Sequence, residues 1–258
     1  MIEDKTNIAV KNLTIGYKTN TVAENINFSL NSGELCAIIG INGIGKSTLL
    51  RTLGNIQNKL SGTIEIQNKD LDKLTSNEIA KQLSLVLTES IASKNLSVKE
   101  LIALGRQPYT NWIGSLSKAD ASFIDDCIAS FKLELLKNRK CHELSDGQLQ
   151  RVLIARAMAQ DTPLILLDEP TTHLDLYHKV QILKLLKQVV LEHQKIVVFT
   201  THEIELAIQL ADKILIIDGK ENPFEEPCKL ITNGAFENLF PDDMVSFDPT
   251  TGSFKVNK

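Results

Sequence analysis

Leu35-Cys-Ala-Ile-Ile-Gly40-Ile-Asn42-Gly43-Ile-Gly45-Lys46-Ser47-Thr48 runs an apolar stretch directly into the pattern GxxxxGKS/T. Five consecutive apolar residues suit a central strand buried on both faces. Helical spacing resumes over Ser47–Gly54, so the glycine-rich piece lies between a strand and a helix, where a phosphate-binding loop belongs. Gly40, Gly43 and Gly45 would let successive backbone N–H groups curl around phosphate oxygens without Cβ clashes. The following helix adds its free N–H groups and the positive end of its dipole. In such a loop Lys46 carries charge to the β- and γ-phosphates and Ser47 can ligate Mg²⁺. Asn42 and Thr48 lie in the same nucleotide-binding segment. A chance glycine turn would not bring the strand and the helix with it.

A second apolar run, Leu164-Ile-Leu-Leu-Asp168-Glu169-Pro170, delivers two carboxylates at a strand's C-terminal end. Open α/β sheets place their ligands on that side. Asp168 is expected to hold Mg²⁺ or its waters, and Glu169 to polarise an attacking water as general base. The alternative is a capping and turn feature before Pro170, a weak one beside a phosphate loop. The pair marks an NTPase or a degenerate one.

Outward from these runs, strands are predicted at Ile8–Thr14, Phe28–Leu30, Gly62–Gln67, Leu83–Leu87, Ile196–Thr200 and Ile214–Ile217. Helical spacing covers Glu78–Gln82, Lys179–Glu192, Glu203–Leu210 and Leu149–Ala159, the last stopped before Pro163. From Ser97 to about Cys141 the pattern is helical, and the connecting piece Gly105–Leu116 holds Tyr109 and the only tryptophan, Trp112. Interleaved strands and helices imply an α/β fold: a P-loop NTPase core with a mostly parallel central sheet, an N-terminal antiparallel β region and an inserted helical subdomain. One domain is expected over 1–258, with the core at about 1–89 and 151–220. The helical subdomain takes about 90–150 and a short, peripheral Pro- and acid-rich tail about 221–258.

The chain of 258 residues carries 28 basic and 32 acidic side chains, a formal charge of -4, which argues against a basic nucleic-acid coat. No signal-like N-terminus and no apolar window of membrane-spanning length stand out. Four scattered cysteines (Cys36, Cys127, Cys141, Cys228) read as free thiols in a reducing cytosol.

Leu144-Ser145-Asp-Gly147-Gln148 then adds the most specific element, because it resembles the signature motif of ABC transporter ATP-binding subunits, with Asp146 where glycine is more usual. That resemblance covers nearly the whole chain. It implies that Ser145, Gly147 and Gln148 cap the γ-phosphate held by a second copy, so that a homodimer sandwiches two ATP. It further implies that Tyr17 stacks on adenine, that Asp175 of Pro170-Thr-Thr-His-Leu-Asp175 reaches the opposite monomer, and that His202 contacts the γ-phosphate and positions the water. His142, His178 and His193 read as surface residues. Where the family has a glutamine near Mg²⁺, this chain has Thr88 or Glu89, and either is a possible metal contact.

Val98-Lys-Glu-Leu-Ile-Ala-Leu-Gly-Arg106-Gln-Pro-Tyr109-Thr-Asn-Trp112-Ile-Gly114 and the tail from Leu239 to Phe254 are similar to importers of the iron–siderophore, haem and cobalamin type. The implied function is an ATPase that energises iron-chelate import through an integral membrane permease dimer, fed by a substrate-binding protein. Its place would be the cytoplasmic face of the membrane, held peripherally by the permease. A haem or cobalamin importer, a soluble ABC ATPase of cytosolic assembly and a non-hydrolysing regulatory subunit stay as alternatives. Arg106 reads as either a docking or a phosphate-facing residue. Tyr109 and Trp112 read as a docking surface or as local packing.

Overall fold

The computed structural model describes residues 6–88, 95–237, 239–240 and 245–257. Two strands, β1 (Thr6–Tyr17) and β2 (Asn20–Asn31), pair antiparallel, followed by β3 (Leu35–Ile39) and helix α1 (Lys46–Leu53). Then β4 (Ser61–Ile66) returns to β1 and β5 (Lys69–Asp70) joins it, giving a small sheet of order β2-β1-β4-β5. β1 and β2 are longer than the alternation of the sequence predicts. Register shifts interrupt them, and Asn12 and Asn25 take left-handed backbone angles of 48° and 56°, which asparagine tolerates. Asn27 stitches the irregularity, accepting the Asn12 N–H at 2.8 Å and donating to the Asn25 carbonyl at 2.9 Å.

The chain continues through α2 (Ser76–Ala80), β6 (Leu83–Val86), α3 (Val98–Ala103), a 3₁₀ turn at Leu104–Tyr109, α4 (Lys118–Ser130) and α5 (Asp146–Ala159). Each of these four α-helices opens on a reciprocal Ser/Thr–acid or Ser–Gln cap, which fixes its first turn locally. β7 (Leu164–Leu167), α6 (Leu176–His193), β8 (Ile196–Thr200), α7 (Ile204–Leu210) and β9 (Lys213–Ile216) complete the α/β alternation. β10 (Phe224–Glu225), α8 (Pro227–Thr232) and the hairpin β11 (Val245–Asp248) and β12 (Ser253–Val256) follow.

The large sheet has the order β10-β9-β3-β8-β7-β6, all parallel except β10. Its central strands alternate between two cores. Leu35, Ala37, Ile39, Ile165, Leu167, Val197 and Phe199 face the cluster built with α3, α4, α5 and α6. Cys36, Ile38, Leu164, Leu166, Ile196 and Val198 face α1 and the small sheet. The parallel arrangement brings the C-terminal ends of β3, β6, β7 and β8 to one edge, where the phosphate loop, the Asp168–Glu169 pair and His202 leave the sheet. The residues expected to form a peripheral tail instead feed the first cluster through Phe236, Leu239 and Phe247, with Phe236 and Phe247 stacked at 5.0 Å.

Arg106 is neither a docking nor a phosphate-facing residue. Its guanidinium is turned inward, donating from Nε to Asp120 at 2.8 Å and from Nη1 to the Ala159 carbonyl at 3.1 Å. It also lies 4.0 Å from the Tyr109 ring centre and 5.0 Å from that of Phe123. The Ser117 hydroxyl, then Arg106, holds the Asp120 carboxyl below its ordinary value. Arg106→Ala strands a buried carboxylate and is expected to destabilise the fold by about 3 kcal/mol in urea titration at pH 7. A group depressed in this way stabilises above its unfolded pKa and loses that contribution as pH falls through its folded pKa. The gap to wild type should therefore narrow below about pH 4 to what the Ala159 and Tyr109 contacts contribute.

Candidate nucleotide site

The loop after β3 is shaped by glycines at two points that tolerate nothing larger. Gly45 has φ 115°, and a Cβ there would lie 2.4 Å from Val22 Cγ1; Gly40 has φ 153°, and its Cβ would meet the Ile217 carbonyl oxygen at 2.5 Å. The first turn of α1 therefore starts in contact with the small sheet, with Lys46 as its first residue and 5% exposed. The Lys46 ammonium donates to the carbonyls of Gly40 at 2.8 Å and Ile41 at 3.2 Å, which curls the loop over its own lysine. Burial pushes this amine below its ordinary value, and the charges of Glu169 and Asp168 oppose the shift.

Opposite the loop, Asp168 leaves β7 buried, and its Oδ1 accepts from the Ser47 hydroxyl at 3.0 Å and from the Thr200 hydroxyl at 2.7 Å. Thr200 in turn accepts the Glu169 backbone N–H at 2.9 Å. One hydroxyl at the end of β8 thus orients both carboxylate residues. Glu169 has a left-handed φ of 48°, uncommon for a non-glycine residue and of the kind that gathers at functional sites. Its Oε2 accepts from Thr172 at 2.9 Å, and its Oε1 lies 2.5 Å from His202 Nε2. The other nitrogen of His202, Nδ1, lies 3.4 Å from Lys46 Nζ. A carboxylate only accepts and an ammonium only donates, so these partners assign the proton to Nε2 and the lone pair to Nδ1.

Lys46, Ser47, Asp168, Glu169 and His202, taken from separate motifs of the sequence, are therefore brought together in one hydrogen-bonded group joined through Thr200. Thr88 joins it from the end of β6, its hydroxyl donating to the Asp168 carbonyl at 3.1 Å. Glu89 lies outside the described residues. Tyr17, 48% exposed, stands at the rim with its hydroxyl 3.3 Å from Thr48 Oγ1. Gly43, with φ 79°, has open space around it, and Asn42 beside it is exposed. Thr200 and Thr172 were not singled out from the sequence. Only the pairing of β8 with β7 gives Thr200 its role, and nothing local to Phe199-Thr-Thr signals it.

Ser145, Gly147, Gln148 and Asp175 form a second group. Among the described residues no hydrogen bond or ion pair ties these four side chains to the first group. Ser145 caps α5, accepting from the Gln148 N–H, while Gln148 Oε1 accepts the Ser145 N–H at 3.1 Å. Asp175 caps α6, and the hydrogen bonds it accepts from the backbone and ring of His178 hold its carboxyl below the ordinary range. Gly147 is buried against the ring of His178, which is exposed, as its sequence context suggests, and is bonded to Asp175.

The first group presents a buried cation, a glycine loop at a helix start, and a hydroxyl–carboxylate oxygen pair. That donor set suits a hard cation held jointly with phosphate oxygens, since Mg²⁺ takes oxygen ligands and few of them from protein. Among the described residues there is no cluster of three or more His, Cys, Asp or Glu able to hold a metal unaided.

A family model described as "ABC transporter" matches residues 23–172. The "Probable siderophore transport system ATP-binding protein" of Bacillus subtilis is 35% identical, covering 95% of this chain and 90% of that protein. The ferric enterobactin transport ATP-binding protein of Escherichia coli is 31% identical, over 98% of this chain and 94% of its own length. Among solved structures, the dimeric post-hydrolysis state of an ATP-binding cassette bound to ADP and Pi superposes with a TM-score of 0.72. It is 30% identical and covers 85% of this chain and 98% of that one.

Proposed function

Because this chain belongs to the ABC transporter family and is an ATP-binding ATPase of it, we propose that it energises import of an iron chelate of the siderophore type through a membrane permease dimer. The observation that carries the reading is the single bonded group of Lys46, Ser47, Asp168, Glu169 and His202, in a chain similar end to end to iron-import ATP-binding proteins.

In this reading the backbone N–H groups of Gly40–Thr48, including Asn42, Gly43 and Gly45, cradle the ATP phosphates, and Lys46 neutralises the β- and γ-oxygens. Tyr17 stacks on adenine at the rim. Ser47 and Asp168 would hold Mg²⁺, with Thr88 as the nearest further oxygen, and the ion would neutralise charge on the phosphates. Glu169 accepts a proton from the attacking water, and His202, held between Glu169 and Lys46, would contact the γ-phosphate as the family resemblance implies. Ser145, Gly147, Gln148 and Asp175 would complete the site of a second copy, as the resemblance of Leu144–Gln148 to the family's signature motif implies. A homodimer bound to ATP completes both sites, and the dimeric relative bound to ADP and Pi supports that arrangement. Closure and reopening of the pair would then shift the permease between conformations.

No helix among the described residues is long and apolar enough to cross a membrane; in this reading the permease supplies the span. The surface best suited to meet it is the connection after the 3₁₀ turn, where Trp112 is 94% and Ile113 67% exposed, apolar side chains that a partner would cover. Tyr109, by contrast, is engaged by Arg106. The chain, its permease and its binding protein reconstituted in vesicles should take up a ferric siderophore only with ATP. Trp112→Ala with Ile113→Ser should lower uptake by about tenfold while leaving basal ATPase activity unchanged. Stable recovery from detergent extract with soluble proteins alone would overturn the reading.

A further inference from the structure

Gly147 occupies a helical position at the start of α5, where its backbone angle does not require glycine and where glycine costs helix propensity. What the missing side chain provides is a seat. A Cβ built on Gly147 would lie 3.1 Å from His178 Cδ2, 3.5 Å from Cγ and 3.8 Å from the His178 Cβ, so one edge of the imidazole rests on the bare backbone of α5. The opposite edge is held by Asp175, whose two carboxylate oxygens lie 2.8 and 2.9 Å from Nδ1. A carboxylate only accepts, so Nδ1 carries the proton and the ring is fixed in plane. The backbone N–H of His178 is bonded to the same carboxylate at 2.9 Å, which pins the ring to the cap of α6.

We infer that His178 is a positioning residue that locks the Ser145–Gln148 segment and Asp175 into one unit, so that both meet the nucleotide of the second copy together. The inference rests on the reading of this chain as a dimerising ATPase. The two segments lie about thirty residues apart and start different helices. Within their own chain, Gly147 and Asp175 are bridged by this imidazole: one face of contact is steric and the other is a charge-assisted hydrogen bond. Removing the ring would free the α5 terminus to move relative to Asp175 without touching Lys46, Asp168, Glu169 or His202.

The test uses the full chain with Glu169→Gln, which retains ATP, and follows ATP-dependent dimerisation by light scattering beside binding of a fluorescent ATP analogue to dilute monomer. Adding His178→Ala should weaken dimerisation about fivefold to tenfold, less than a buried charge-assisted bond is worth because this pair is exposed, with analogue binding to the monomer unchanged. In the assembled transporter the single variant should raise the KM for ATP by a similar factor and change kcat less. His178→Asn, whose amide N–H can still reach Asp175, should recover at least half of the loss. Dimerisation of His178→Ala equal to its parent, an equal loss in monomer binding, or no recovery by asparagine would overturn the inference. If the parent itself stays monomeric with ATP, the dimer reading fails and the inference with it; a dimeric parent with an indifferent His178→Ala refutes the inference alone.

Discussion

Glu169→Gln should lower ATP turnover by about 10³-fold while leaving ATP binding in place, since a positioned general base contributes about 10²–10⁴. The variant keeps the shape of the side chain; its amide oxygen can accept from His202, while its NH2 donates to the Thr172 hydroxyl, which rotates to accept. It removes the negative charge and the capacity to take a proton. The Thr200 bond to the backbone N–H is untouched, so the left-handed turn at residue 169 should persist and the fold with it. Phosphate release at saturating MgATP measures the turnover, and equilibrium binding of an ATP analogue measures the rest. Equal rates for the variant and wild type would mean that Glu169 is not the base and would favour a regulatory subunit that does not hydrolyse ATP.

Lys46→Met should abolish useful ATP affinity, a loss of about 100-fold or more, because charge-assisted contacts to phosphate are each worth about 1.5–3 kcal/mol. Its effect on the nucleotide-free fold should run the other way. Burial holds this amine below its ordinary value, so folding disfavours its charged form. The sign follows from linkage: stability is penalised while the amine is charged, and the penalty is relieved as pH rises through the lowered pKa toward the ordinary lysine value. Methionine keeps the aliphatic stem and carries no charge. At pH 7 the nucleotide-free variant should therefore melt no lower than wild type, and any advantage should shrink toward pH 10–11. Calorimetry with and without ATP checks both halves. A variant that melts well below wild type without nucleotide would show that the carbonyl bonds to Gly40 and Ile41 outweigh the cost of burying the charge.

Much of the site was legible before folding because its key pieces are contiguous. The sequence Gly40–Thr48 specifies a strand exit, a loop conformation and a helix start within nine residues, all set by local backbone sterics. Asp168 and Glu169 are likewise announced by the apolar run before them. The longer hairpin of β1 and β2 was less legible, because Asn12, Asn25 and Asn27 break the alternation and are satisfied only across the hairpin. The tail misled for a related reason: Phe236, Leu239 and Phe247 look isolated in the sequence and become a core only when the hairpin folds onto the helices.

By itself the sequence determined the α/β alternation, the phosphate loop, the paired carboxylates and the segment at Ser145, each encoded in residues that are neighbours along the chain. Only the tertiary structure decided that Thr200 orients both Asp168 and Glu169, that Arg106 turns inward to Asp120, and that His178 rests on Gly147. Partners of that kind are chosen by strand order and helix packing. A polar side chain reads the same in the sequence whether it faces water or a buried carboxylate, and burial is what separates the two.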